Sequence, residues 1–252
     1  MPKAQVSPIK LGKEPLIDVV CEVRFASDGP ASVLLPGLLL SKLTGIGGFE
    51  ALPAAQLPQM LCEQDPNLRL APLMKMTWGE FVIIVGDRSL AVGCKMPYPG
   101  WTAFKAAIFE VFPVLTTATF VKAVERHSIK YVDLFPKGDG GDRGLDQFAI
   151  ALQLGAHTIA REATQIRTEI HEKPFIHAVT VLTAATVHRP DGSKSDGSIV
   201  DVDTHRVQEF ADVAQFVNQL PELLEEIHDA NKQFFFACLS NAGLEELEPI
   251  YE

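Results

Sequence analysis

Residues 16–25 set Ile17, Val19, Cys21, Val23 and Phe25 in alternation with Asp18, Glu22 and Arg24. That period of two marks a strand with one buried face. After Asp28-Gly29-Pro30, a leucine-rich run over 32–43 predicts a helix that Pro36-Gly37 should kink or delay. Glycines and prolines then punctuate 45–72, which predicts a long irregular connection. Strand patterns over 73–78, 81–85 and 89–95 are separated by Gly79-Glu80 and Gly86-Asp87-Arg88, which predicts an antiparallel meander. Pro97-Tyr98-Pro99-Gly100 leads into a helix whose Trp101, Phe104, Ile108, Phe112 and Leu115 recur at spacings of three and four, and Pro113 should bend or end it.

The second half opens on a strand over 124–135, with Ile129, Tyr131 and Phe135 on one face and Arg126, Ser128 and Lys130 on the other. A glycine-rich loop follows over 137–144, then strand patterns over 148–154, 164–171, 175–188 and 198–207. The turn Glu172-Lys173-Pro174 and the polar loop 189–197 separate the last three. Helices are predicted over 209–218 and 220–240, with Pro221 as the first residue of the second. In the latter, Leu220, Leu223, Leu224, Ile227, Phe234, Cys238 and Leu239 form the apolar stripe. The two halves rhyme, each a run of strands closed by a long helix. The predicted class is therefore α+β, with two curved antiparallel sheets each packed on a long helix, in the manner of a TATA-binding-protein-like or helix-grip-like pseudo-duplication. The halves divide as 1–122 and 123–252, within one compact unit.

Composition narrows the function classes. The 252 residues include 22 Lys and Arg against 32 Asp and Glu, a net charge of −10 with His neutral. Such a balance argues against nucleic acid as a partner, because phosphate-backbone affinity comes mostly from counterion release by basic side chains. No apolar run approaches the ~20 residues that span a bilayer, and the amino terminus is polar, so no membrane association and a cytoplasmic location are expected. Cys21, Cys62, Cys94 and Cys238 are scattered, with no Cys-x-x-Cys pair, and are expected to be reduced and to behave as small hydrophobes.

Five landmarks together resemble a sporadically distributed family of uncharacterised bacterial proteins of about this length, known without an assigned function. They are Pro15-Leu-Ile-Asp-Val-Val-Cys-Glu-Val-Arg-Phe25, Tyr98-x-x-Trp101-x-x-Phe104, Glu125-Arg-His-Ser-Ile-Lys-Tyr-Val-Asp133, Ile199-Val-Asp-Val-Asp203, and His228 with Phe234 in the final helix. They span nearly the whole chain in order. The family's middle strand ends in an Arg-Tyr-hydrophobic-Asn run, where this chain has Lys130 and Asp133. The resemblance implies a bacterial, cytoplasmic protein and no particular activity.

The most suggestive constellation is Asp201-Val-Asp-Thr-His205. On a strand, Asp201, Asp203 and His205 project from one face about 7 Å apart, and two carboxylates with an imidazole suit a divalent metal. Ligands along one strand diverge, however, so the favoured reading is a wet strand face opposite Val200, Val202 and Thr204, and no metal is expected. His171-Glu172 and His177 fail the zinc-protease spacing, with Pro174 between them. Gly45-Ile-Gly-Gly48 lacks dinucleotide and phosphate-loop spacing. Asp139, Asp142 and Asp146 lack the twelve-residue calcium pattern. No nucleophile elbow or other catalytic signature occurs.

Two features favour binding. The strand over 175–188 carries Ala178, Thr180, Thr183, Ala184, Ala185 and Thr186; close helix-on-sheet packing, or a dimer across that strand, is the favoured reading of these small residues, with a cavity facing the last helix as the alternative. Arg126, Lys130, Arg167, Glu169 and His171 would form a polar cluster on neighbouring strands, with Arg126, Lys130 and Arg167 as interface candidates, if the registers hold. The expectation is a non-enzymatic protein without a cofactor that binds another protein or itself. The alternative is a small-molecule or metal-binding or hydrolytic protein with a cavity between the carboxy-terminal helix and the second sheet, using Asp201, Asp203 and His205, or Glu169 and His171. The acidic excess concentrates at the carboxy-terminal end, in Glu222, Glu225, Glu226, Asp229, Glu245, Glu246, Glu248 and Glu252, against the one base Lys232.

Overall fold

A computed structural model describes residues 8–138, 144–188 and 192–251. The predicted loop aspartates Asp139 and Asp142, and the start of the predicted loop 189–197, lie outside them. The elements are β1 (Lys10–Leu11), β2 (Leu16–Ser27), α1 (Ala31–Lys42), β3 (Ile46–Ala51), α2 (Gln59–Gln64), α3 (Pro66–Arg69), β4 (Met74–Trp78), β5 (Phe81–Val85), β6 (Ser89–Cys94) and α4 (Trp101–Val111). They continue with β7 (Val121–Pro136), β8 (Leu152–Leu154), β9 (His157–Ile159), β10 (Gln165–Glu172), β11 (Phe175–His188), β12 (Lys194–Phe210), α5 (Val213–Ala237), α6 (Asn241–Glu246) and β13 (Pro249–Ile250). The class is α+β with extensive antiparallel sheet and a carboxy-terminal helix, as the patterns predict.

The chain forms two compact units that are not successive halves. One contains residues 1–17, 130–204 and 228–252; the other contains 18–129 and 205–227. β7, β12 and α5 each run through both, so a division near residue 122 does not describe them.

In the unit built on 18–129, the strand order β2-β6-β5-β4-β3 continues the predicted meander. β2 buries Val19, Cys21, Val23 and Phe25 at alternate positions, as its pattern dictates. β6 is buried along its whole length, which is why Ser89 to Cys94 show no alternation. α4 buries Phe104, Ala107, Ile108 and Val111, and a 3-10 turn from Phe112 to Thr117 takes over where Pro113 removes a donor. α1 continues through Pro36 without a break. The region 45–72, expected to be irregular, contains β3, α2 and α3. β3 pairs with β4 as an exposed edge strand, so it carries no burial pattern to read.

In the other unit the strand order is β10-β11-β12-β7. β10 and β11 pair from Gln165↔Leu182 to Glu172↔Phe175, closed by the two-residue turn Lys173-Pro174. The strand expected over 148–154 shrinks to β8, paired with β9. The core of this unit joins Val179, Val181, Val200 and Val202 of the ladder to Phe235, Phe236 and Leu239. α5 runs unbroken through Pro221, where two helices were expected. An interior proline costs about 3 kcal/mol, and the buried Phe216, Leu220, Leu223, Leu224 and Ile227 on either side of it outweigh that.

Two glycines test this packing. A Cβ at Gly197 would lie 2.1 Å from the Phe135 carbonyl oxygen, whereas one at Gly37 meets nothing within 4 Å. Gly197→Ala should lower the unfolding free energy by roughly 2–3 kcal/mol by forcing β12 off β7. Gly37→Ala, inside α1, should raise it by roughly 0.5–1 kcal/mol. Urea denaturation of the two variants checks both signs.

Candidate functional site

In an amphipathic helix every position on the buried stripe is normally apolar. α5 breaks that rule once: Asn231, at 1% exposure, follows Ile227 and precedes Phe235 at helical spacing. Its amide Nδ2 donates to the Val202 carbonyl (2.8 Å) and to Thr204 Oγ1 (2.9 Å) on β12. Thr204 Oγ1 lies 2.8 Å from Nδ1 of His177 on β11. The imidazole stacks on Phe234 of α5 with ring centroids 4.2 Å apart. Thr204 Oγ1, with one proton and two lone pairs, pairs with Nδ1 while it accepts from Asn231, which leaves Nε2 as the ring's other nitrogen. That nitrogen is 3.9 Å from the exposed Glu172 carboxylate.

Hydroxyl, imidazole and carboxylate thus occur in the order used by nucleophilic hydrolases. Thr204, however, has zero exposure and His177 only 2%. No acyl or phosphoryl group can reach the hydroxyl, so the chain acts as a polar clamp between helix and ladder. Burial holds the His177 pKa below its ordinary value, with Glu172 opposing. Nearby, the Tyr131 hydroxyl and His228 Nδ1 share a 3.0 Å hydrogen bond. The sequence signals for the clamp are a polar residue on an apolar stripe and a threonine on the core face of β12; only their contact required the fold.

Asp133 is a second buried polar group of this unit, at 5% exposure. Burial first, and then the negative charges of Glu14 and Asp201, push its pKa well above the carboxylate range. In the other unit, His127 is 2% exposed and neither ring nitrogen has a hydrogen-bond partner among the described residues. Burial, then Arg206 and Arg126, lower its pKa from 6.5 to about 4.

The expected site residues are dispersed. Asp201 and Asp203 are half-buried on β12, with Asp201 3.9 Å from Lys130 Nζ. His205 is buried, which corrects its placement on a wet strand face. Val200, Val202 and Thr204 face the core as expected. Among the described residues no group of three or more His, Cys, Asp or Glu side chains is arranged to hold a metal ion. Glu169, His171 and Arg167 are exposed on β10, while Lys130 and Arg126 belong to β7. β11 and β12 separate β10 from β7, so the five-residue cluster on neighbouring strands does not form. The sheet face that would border a cavity under α5 is filled by the apolar core through Val179 and Val181, while of the small residues of β11 only Thr183 and Ala185 are buried and Ala184 and Thr186 are exposed.

Other features are neutral in chemistry. Burial pushes the thiols of Cys94 and Cys238 up to about 12, and Cys21 higher still, so they are poor nucleophiles. The acidic face of α5 is partly neutralised: Glu225 accepts from Trp101 Nε1 (3.1 Å) and from Lys105 on α4, and Glu226 pairs with Arg206 at 2.9 Å. Among the described residues no helix is long and apolar enough to cross a membrane. The chain matches no protein-family profile, and no curated protein sequence is significantly similar to it.

Three measurements follow. Thr204→Val should cost about 1–3 kcal/mol by stranding His177 and one donor of Asn231, and Thr204→Ser should recover most of it. Folded Asp133 keeps its proton above pH 3.8, where the unfolded chain releases it, so its contribution is full below that pH and is lost as pH rises. Asp133→Asn should therefore be more stable than the parent at pH 7, and the gain should vanish near pH 4. His127 has the opposite sign: the unfolded state takes up a proton below 6.5 and the folded state only below about 4. Stability should fall by up to about 3 kcal/mol across that window, and His127→Leu should flatten that part of the pH profile.

Proposed function

We propose that this is a non-enzymatic, cytoplasmic bacterial protein that works by binding, and that it binds a second copy of itself through the outer edge of β10. The observation that carries the reading is the self-complementary sequence of that strand. β10 ends the strand order, and its residues from Arg167 to Glu172 are all exposed. An uncovered edge offers a row of backbone donors and acceptors to another strand.

A two-fold antiparallel pairing centred on Thr168 sets Arg167 of one copy opposite Glu169 of the other, twice, and Ile166 opposite Ile170. Neither Arg167 nor Glu169 has an ion-pair partner among the described residues. Ile166, Thr168 and Ile170 share the face whose β11 partners are Val181, Val179 and His177. Pairing would therefore extend the apolar core outward and cover Ile170, now 38% exposed. An eight-residue strand adds a modest interface, which suits micromolar rather than nanomolar association. Each unit pairs an antiparallel ladder with helix, which supports a helix-grip-like or TATA-binding-protein-like duplication as the origin of the chain.

Sedimentation equilibrium over a concentration series tests the reading. Arg167→Glu sets like charges opposite one another at two symmetric points and should weaken dimerisation about tenfold. The swap R167E/E169R restores both pairs and should recover it. A strictly monomeric parent, or a dimer indifferent to Arg167→Glu, would overturn the proposal.

A further inference from the structure

The unit built on 18–129 contains a cavity of about 960 Å³, bordered by the start of α1, the connection from Ala54 to Leu73 and the β5–β6 turn. Its volume lies at the upper end for small-molecule sites. Leu57, Leu68 and Leu73 supply apolar wall, and two arginines, Arg69 and Arg88, supply charge.

Among the described residues, the acidic side chains of the same wall, Asp28 and Asp87, are already engaged. Asp28 pairs with Lys122 at 2.9 Å. Asp87 Oδ1 accepts from the Ser32 backbone N–H (3.1 Å) and hydroxyl (2.6 Å) at the start of α1. The guanidinium groups of Arg69 and Arg88, by contrast, take part in no hydrogen bond or ion pair among the described residues. Arg88 is held in place by its backbone: its carbonyl accepts from Phe25 N–H (3.0 Å), and the following Ser89 is buried. Two arginines without side-chain partners among the described residues thus stand beside an apolar wall in a chain of net charge −10. Guanidinium is suited to carboxylate recognition because its fork of donors matches the two oxygens.

We infer that this cavity binds a monocarboxylate with an apolar body, its carboxylate on Arg88 and Arg69 and its hydrocarbon against Leu57, Leu68 and Leu73. The inference is independent of self-association, because β10 contributes nothing to this wall.

Calorimetric titration of the full-length protein with octanoate tests it, with octan-1-ol and inorganic phosphate as parallel probes. Octanoate should bind saturably, and octan-1-ol and phosphate at least about tenfold more weakly, because each lacks one half of the recognition. Arg88→Gln and Arg69→Gln should each weaken octanoate about tenfold while leaving the melting temperature unchanged. If Arg88→Gln does not fold, Arg69→Gln, at an exposed residue, carries the test. The inference fails if octanoate does not bind saturably up to about 10 mM. It fails equally if octan-1-ol or phosphate binds as tightly as octanoate, or if folded arginine variants bind octanoate as the parent does.

Discussion

The donation from Asn231 to Val202 and Thr204 is the constraint around which the β10-to-β7 unit is arranged. Apolar burial of Phe235, Phe236 and Leu239 against Val179, Val181, Val200 and Val202 provides most of the attraction. It is non-directional, however, and would tolerate the helix sliding by a turn. A buried amide tolerates no such slip, because any other register leaves its donors unsatisfied. Thr204 passes the constraint to His177, and the stacked Phe234 closes around the imidazole. Helix, β12 and β11 are thereby held in one register.

That rigidity explains why groups that resemble catalytic apparatus are better understood as scaffold. A nucleophile must meet its substrate, and Thr204, with zero exposure, has its hydroxyl engaged by His177 and Asn231. A metal needs convergent ligands, and the alternating acids of β12 point along a strand rather than toward a centre. Charged side chains that are exposed or half-exposed and have no ion pair among the described residues lie instead on the edge of β10 and beside the cavity next to α1.

Charge illustrates the same distinction. The acidic excess is plain in the composition, but composition does not say which acids have partners. Glu225 is shared between Trp101 and Lys105, and Glu226 pairs with Arg206, so part of the acidic face of α5 fastens the helix to its neighbours. Exposed pairs such as Lys13 with Glu248 contribute little, because solvent screens them. Asp133 and His127 matter more to stability, since each is a titratable group in a place that disfavours its charged form.

Local pattern was sufficient wherever one face of an element is buried and the other is wet. β2, β4, β5, α4, β11 and the apolar stripe of α5 are legible because burial imposes a period of two or 3.6 on the residues themselves. The pattern was silent for β3, an exposed edge, but found β6 as a strand although it is buried on both faces and shows no alternation. It misled at Pro221, where burial on both flanks of the proline carries the helix through. It misled again in grouping Arg167, Glu169 and His171 with Lys130 and Arg126, because strand order is a non-local property that leaves no trace in either strand. Thus the sequence by itself determined the α+β class, most elements and their buried faces. Which strands adjoin, which polar residues meet inside, and which charges stay uncommitted were decided only by tertiary structure, because each depends on contacts between residues far apart in the chain.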